Sequence, residues 1–60
     1  MPAIWICRDE NGVVDAAYVA EHTDPRILKE LRDNGRTPEL VVADTVTLGQ
    51  PLPRDVAILQ

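Results

Sequence analysis

The chain has 60 residues, of which 45% are apolar and 27% charged, and its formal net charge at pH 7 is −4. A chain this short has room for one small core, so we expect a single folded domain over residues 1–60. The acidic balance argues against nucleic-acid binding, which usually needs a basic surface. Its apolar runs fall far short of the roughly 20 residues that span a bilayer, so no membrane segment is predicted.

The chain has too few cysteine and histidine residues to stabilise so small a core with a disulfide or a bound metal. Cys7 is the only cysteine and His22 the only histidine, so an internal disulfide and a four-ligand zinc site both lack residues. We therefore expect no metal and no cofactor. A lone thiol suits a reducing compartment, and the N-terminal segment lacks the pattern of a signal peptide. These features predict a cytoplasmic protein.

The first two apolar runs predict a β-hairpin. Residues 3–7 and 13–19 are rich in strand-forming side chains. Asn11 and Gly12 between them suit a tight turn, because both tolerate positive φ. A helix over residues 14–22 is the alternative for the second run, since several good helix formers lie there.

The length of the turn sets the register of this hairpin. A two-residue turn, which we favour, places Arg8 opposite Asp15 and Trp5 opposite Tyr18, and both are favourable cross-strand pairs. A three-residue turn with a bulge at Gly12 is the alternative.

A helix of about ten residues gives the clearest local signal. Asp24 suits the N-cap, Pro25 the first helical position and Gly35 the residue beyond the C-terminal end. So short a helix is unstable alone and must pack on the sheet. Its expected apolar face is Ile27, Leu28 and Leu31, and its expected ion pairs are Arg26 with Glu30 and Lys29 with Asp33.

The second half of the chain predicts further strands. Residues 39–43 read as a strand that is apolar on both faces and therefore central. Residues 45–48 alternate like a half-exposed strand, which either continues the third strand or turns back as a fourth. Residues 49–53 end any ladder because of their prolines and glycine. Residues 54–60 could pair at a sheet edge, form a short helical turn or reach a neighbouring chain.

Together these elements predict an α+β fold, with an N-terminal β-hairpin and one short helix packed on a sheet of three or four antiparallel or mixed strands. Both faces of the sheet are apolar near the hairpin, and one short helix covers only one of them. The other face needs a second layer. The C-terminal segment, a second copy of the chain or a partner protein could supply it.

No residues of the chain make a convincing catalytic or metal site. Cys7 and His22 would be about 20 Å apart along the hairpin, so we interpret Cys7 as a structural thiol. Glu21, His22 and Asp24 resemble a metal-ligand set only superficially, since Asp24 is already explained as a cap. We predict that the protein is not an enzyme. Acid–base chemistry would require carboxylates to converge in one cleft, and the candidates are Asp9, Glu10, Asp15 and Asp44.

These arguments favour a protein-binding function. If the helix covers the face of Ile4 and Ile6, Trp5 and Tyr18 are left as contact anchors for a second copy of the chain or for another protein. We therefore expect a small cytosolic regulator, adaptor or inhibitor, of a kind common in phages and other mobile elements, that acts by occupying a surface.

A nucleic-acid-associated accessory factor is the alternative function. Its contacts would come from basic residues around the helix, although the acidic residues interleaved with them largely cancel their field. An accessory subunit without activity of its own is a third hypothesis. The basic residues concerned are Arg26, Lys29, Arg32 and Arg36.

Overall fold

The computed structural model describes residues 2–60 and shows a four-stranded antiparallel sheet with one α-helix, which confirms the predicted α+β fold. Its elements are β1 (Ala3–Arg8), β2 (Val14–Val19), a 3-10 turn (Ala20–His22), α1 (Pro25–Asp33), β3 (Glu39–Val42) and β4 (Ala57–Ile58). The strand order is β2-β1-β3-β4. β2 and β4 are therefore the two edges. The helix considered for residues 14–22 is wrong, since most of that segment is β2.

The turn of the hairpin has three residues, as in the alternative, so the predicted two-residue turn is wrong. The Asp9 N–H donates to the carbonyl of Val13 over 2.9 Å, so residues 10–12 form the loop. The Asp9 carboxylate stabilises this wider turn by accepting from the N–H groups of Asn11 (2.8 Å) and Val13 (3.0 Å). Gly12 supplies a positive φ of 79°.

A register shift then restores most of the pairing that the shorter turn predicted. Trp5 lies opposite Tyr18, as predicted, but the pairing shifts just before Arg8. Arg8 consequently lies opposite Val14, and the predicted pairing of Arg8 with Asp15 is wrong. The extra residue in β2 has the effect of a β-bulge, which accommodates the longer turn without moving the rest of the ladder.

The ends of α1 lie where the capping residues predicted. The Asp24 carboxylate accepts from the N–H of Arg26 over 2.9 Å, and Pro25 occupies the first turn. Beyond the C-terminal end, Gly35 adopts a φ of 79°, and its N–H donates to the carbonyl of Arg32 over 3.0 Å. The local sequence therefore determines both ends of this helix.

The crossing segment, residues 44–56, covers one face of the sheet. It leads from the end of β3 to the outer edge of β2 and back to β4, and the strand expected at residues 45–48 does not form. The C-terminal part of the chain is therefore the second layer that the sheet requires. Val46, Leu52 and Val56 of this segment pack against a buried cluster of Ile4, Ile6, Val14, Val41 and Ala43.

The helix belongs to the opposite face of the sheet, which carries Cys7. Ile27, Leu28 and Leu31 are half-buried, yet none of them packs against the cluster under the crossing segment. Arg36, which follows the helix, lies close enough to Cys7 for its charge to act on the thiol. The helix and the crossing segment thus form two outer layers with the sheet between them.

Candidate functional site

Trp5 and Tyr18, the predicted contact anchors, are neighbours in β1 and β2. Both side chains are half-buried. They lie on the helix side of the sheet, because the crossing segment occupies the face of Ile4 and Ile6. The arrangement that would have left the aromatic pair bare is therefore not the one observed, and the pair's role in binding remains a prediction.

Two rows of side chains cross the whole sheet and end at β4. The members on β1 and β3 are buried or half-buried, whereas three outer members are exposed: Val19 on β2 by 46%, Ile58 on β4 by 49% and Leu59, just after β4, by 56%. Apolar side chains therefore reach solvent on both faces at the β4 edge. The row on the helix side is Tyr18, Trp5, Leu40 and Leu59, and the row on the other side is Val19, Ile4, Val41 and Ile58.

Cys7 is a buried thiol with only 1% of its surface exposed. Burial raises the pKa of Cys7, and the charge of Arg36 opposes this effect only in part. The protonated form is a poor nucleophile. Cys7 lies opposite Ala16, whereas His22 is exposed beyond the end of β2, so the structure does not bring thiol and imidazole together.

Glu21, His22 and Asp24 are exposed side chains at the entrance to α1. The side-chain hydrogen bond from Arg26, followed by the bond from its backbone N–H, lowers the pKa of Asp24. This is the behaviour of a helix cap that stays ionised. Among residues 2–60, no group of three or more His, Cys, Asp or Glu side chains is placed to hold a metal ion.

The acids considered for catalysis are dispersed. Asp9 orders the hairpin turn, where Glu10 is exposed, and Asp15 forms an ion pair with Arg36. Asp44 lies in a bend after β3 and is exposed. The structure does not bring these carboxylates into one cleft, as general acid–base catalysis requires.

Sequence reasoning missed the ion pair between Arg8 and Glu39. Nε and Nη2 of Arg8 donate to the two carboxylate oxygens of Glu39, each over 2.7 Å. This bond raises the pKa of Arg8. Glu39 lies opposite Ile6, diagonal to Arg8, because β3 pairs with β1. No local signal could have found this pair, since it depends on which strand lies beside β1.

The ion pairs of α1 differ in part from the expected ones. Lys29 and Asp33 form the predicted pair, with Nζ 2.7 Å from Oδ2. The predicted pair of Arg26 with Glu30 is wrong, because Arg26 instead contacts Asp24 over 2.9 Å. The cap holds the Asp24 carboxylate beside the first helical turn, where this guanidinium can reach it.

Most positive charges around the helix are neutralised by neighbours. Besides Arg26 and Lys29, Arg36 forms an ion pair with Asp15, which raises the pKa of Arg36. Arg32 forms no ion pair with any side chain of residues 2–60. The helix therefore presents no basic stripe of the kind that follows a phosphate backbone.

The outer edge of β2 is closed at its two ends by other parts of the chain. Val14 donates its N–H to the carbonyl of Gln50 (3.0 Å) and accepts from the N–H of Gly49 (2.8 Å). At the other end of the strand, the carbonyl of Val19 accepts from the Thr23 hydroxyl over 2.6 Å. These bonds occupy backbone groups that an added strand would need.

The outer edge of β4 is open. Leu40 pairs with this side of the sheet: its N–H donates to the carbonyl of Gln60 (2.9 Å), and its carbonyl accepts from the N–H of Leu59 (2.7 Å). Peptide groups alternate in direction along an antiparallel strand. The N–H and carbonyl of Ile58, which lies opposite Val41, therefore point away from the sheet. Residues 57–60 are all exposed.

A cavity of about 200 Å³ lies beside the beginning of β4. Asp44 and Asp55 both line it, and neither forms an ion pair with a side chain of residues 2–60. Arg54 is exposed and does not line this cavity. Two carboxylates without a cation among residues 2–60 thus lie near the beginning of β4.

Comparison of the chain with models of protein families, with curated proteins and with solved structures finds no match. In residues 2–60 there is also no helix with the length and apolar character needed to cross a membrane.

Proposed function

We propose that the chain is a small protein-binding module that acts by occupying its partner's surface, as a regulator, adaptor or inhibitor does. The open apolar edge at β4 carries this proposal. Proteins usually protect edge strands with charge, proline or a covering segment, and this chain covers part of β2 in that way. Exposed apolar side chains beside unused backbone groups are typical of a contact surface.

The dispersal of reactive groups supports a binding role over an enzymatic one. Cys7 is buried away from His22, and the carboxylates lie on separate elements. A catalytic site needs such groups within hydrogen-bonding reach of one substrate. We propose the cytosol as the place of action, because a lone thiol suits a reducing compartment.

The ion pairs around α1 make a nucleic-acid partner the weaker alternative. Arg26, Lys29 and Arg36 would each have to exchange a carboxylate for a phosphate. A binding assay against duplex DNA and single-stranded RNA at low and moderate salt tests this alternative. Tight binding that falls steeply with salt would contradict the protein-binding proposal.

Affinity capture with matched variants tests the proposed function. The immobilised chain and two aspartate variants are exposed to host lysate, and bound proteins are quantified by mass spectrometry. We expect Leu59→Asp to lose a set of proteins that Leu48→Asp retains, because Leu48 is equally exposed, at 60%, but lies in the crossing segment. Identical protein sets for all three baits would contradict the proposal.

Trp5→Ala tests whether the aromatic pair stabilises the fold or contacts a partner. Because Trp5 is half-buried beside Tyr18, loss of the ring is expected to lower the free energy of unfolding by roughly 3 kcal/mol, the low end of the range for buried aromatic residues. Thermal unfolding followed by circular dichroism measures this change. A variant with unchanged stability and lost binding would instead make Trp5 a contact anchor.

A further inference from the structure

We infer that β4 accepts an added antiparallel strand from a partner protein, and that this strand carries two adjacent aliphatic residues followed on its C-terminal side by Lys or Arg. The inference rests on the protein-binding function proposed above and specifies the chemistry of the partner.

The backbone of Ile58 offers one hydrogen-bond donor and one acceptor to an added strand. Its N–H and carbonyl point away from β3, because the inward positions are used by the bonds of Leu40 with Leu59 and Gln60. A donor and an acceptor on the same residue bind one residue of an antiparallel strand through two hydrogen bonds. Main-chain bonds of this kind provide the affinity in strand addition.

The two rows of the sheet specify the side chains of the added strand. Ile58 ends the row under the crossing segment, and Leu59 ends the row on the helix side. Successive residues of a strand point to opposite faces. Two adjacent aliphatic residues in the added strand would therefore extend both rows and cover both exposed side chains.

Two carboxylates that have no cation among residues 2–60 specify the charge of the added strand. Asp55 precedes β4, and Asp44 lines the same cavity. In an antiparallel addition, the C-terminal part of the new strand lies beside this cavity. A Lys or Arg there would pair with carboxylates that have no cation among residues 2–60.

A second copy of this chain fits the edge less well. If β4 paired antiparallel with its own copy around Ile58, Val56 and Gln60 would lie opposite each other. Residues 56–60 contain no Lys or Arg, so the β4 segment of a copy would bring no basic side chain to Asp44 and Asp55. A basic partner is therefore the occupant that the charges favour.

The test uses a displayed library of random peptides selected against the immobilised chain, followed by NMR titration of an enriched peptide. We expect enriched sequences to contain the aliphatic pair with Lys or Arg C-terminal to it. The largest amide shifts are expected at residues 57–59, with new protection of the Ile58 N–H from exchange.

Two variants test the geometry and the charge separately. Ile58→Pro removes the outward N–H without removing a bond to β3, and we expect it to weaken the enriched peptide roughly tenfold, as loss of a central contact does. Asp55→Lys is expected to weaken binding several-fold and to favour a peptide with Glu in place of Lys. Glu10→Lys, the same charge change at the exposed hairpin turn, is the matched control and should do neither.

Several outcomes would overturn the inference. Enriched peptides that lack Lys or Arg, that bind another surface, or that respond equally to Asp55→Lys and Glu10→Lys would each contradict it. A dimer in light scattering that Ile58→Pro converts to a monomer would show that a second copy, and not a basic partner, pairs with β4. If the captured proteins depend on Leu59 but the enriched peptides do not bind at β4, the proposed protein-binding function stands and the inference about the added strand fails.

Discussion

The two edges of the sheet differ in how far other parts of the chain cover them. At β2, Gly49 and Gln50 occupy the backbone of Val14, and Thr23 occupies the carbonyl of Val19. At β4, the backbone of Ile58 points to solvent, and its side chain remains 49% exposed. The chain therefore closes the two ends of the β2 edge with its own loops, whereas no part of residues 2–60 bonds to the outer side of β4.

The difference follows from the route of the crossing segment. It leaves β3 and bonds to β2 at Gly49 and Gln50 before it returns as β4. The crossing segment therefore covers one face of the sheet, bonds to one end of the β2 edge and leads into β4, which is the other edge. No part of residues 2–60 pairs with the outer side of β4, so this side is open.

The largest contrast is expected between equal truncations at the centre and at the open edge. Ile6→Ala should lower the free energy of unfolding by roughly 2–5 kcal/mol, because Ile6 is fully buried in the central strand and its loss leaves a cavity. Ile58→Ala should cost less than about 1 kcal/mol, because its side chain is half in water. Urea denaturation of both variants measures the difference. Equal losses would mean that β4 is part of the core.

Opening the closed edge is expected to have an intermediate effect. Gly49 has a φ of 85° with open space around its Cα, so Gly49→Ala should cost roughly 1–2 kcal/mol from backbone strain alone. Hydrogen exchange is expected to show faster exchange of the Val14 N–H, while that of Ile58 stays fast in both proteins. Continued protection of Val14 would show that the closure does not depend on this residue.

A smaller effect is expected at the other end of the closed edge. Thr23→Val keeps the shape of the side chain but removes the hydroxyl that donates to the carbonyl of Val19. We expect a loss of about 0.5–1.5 kcal/mol, the usual net value of one hydrogen bond. Thermal unfolding measures it, with Thr47→Val in the crossing segment as an exposed control. A loss no larger than the control's would show that this bond adds nothing to stability.

The smallest expected effect is on the pH dependence of stability and involves Cys7, on the central strand β1. Burial raises the pKa of Cys7, so its contribution to stability is complete below the ordinary thiol pKa of about 8.5 and is lost as the pH rises through the higher folded value. Wild type should therefore lose more stability than Cys7→Ala when denaturation is repeated at alkaline pH. At pH 7 the native thiol should resist alkylation. Rapid alkylation would show that local opening of the sheet exposes Cys7 to solvent.

Local sequence was sufficient wherever a structure depends on neighbouring residues. Asp24, Pro25 and Gly35 determine the ends of α1, because capping bonds and positive φ act within one helical turn. The pairing of Trp5 with Tyr18 was predicted from a two-residue turn, and it forms because an extra residue in β2 offsets the three-residue turn that is present. The turn length was wrong because the Asp9 carboxylate stabilises the wider loop.

Features that join distant parts of the chain could not be predicted in the same way. Only the antiparallel pairing of β1 with β3 brings Glu39 to Arg8, and only the path of the crossing segment decides which face and which edge it covers. Several arrangements bury similar apolar area, so composition alone does not choose among them. The sequence by itself thus determined the elements and the acidic, aliphatic character of this protein. The tertiary structure decided its open edge, because an edge is defined by the strand that finds no partner.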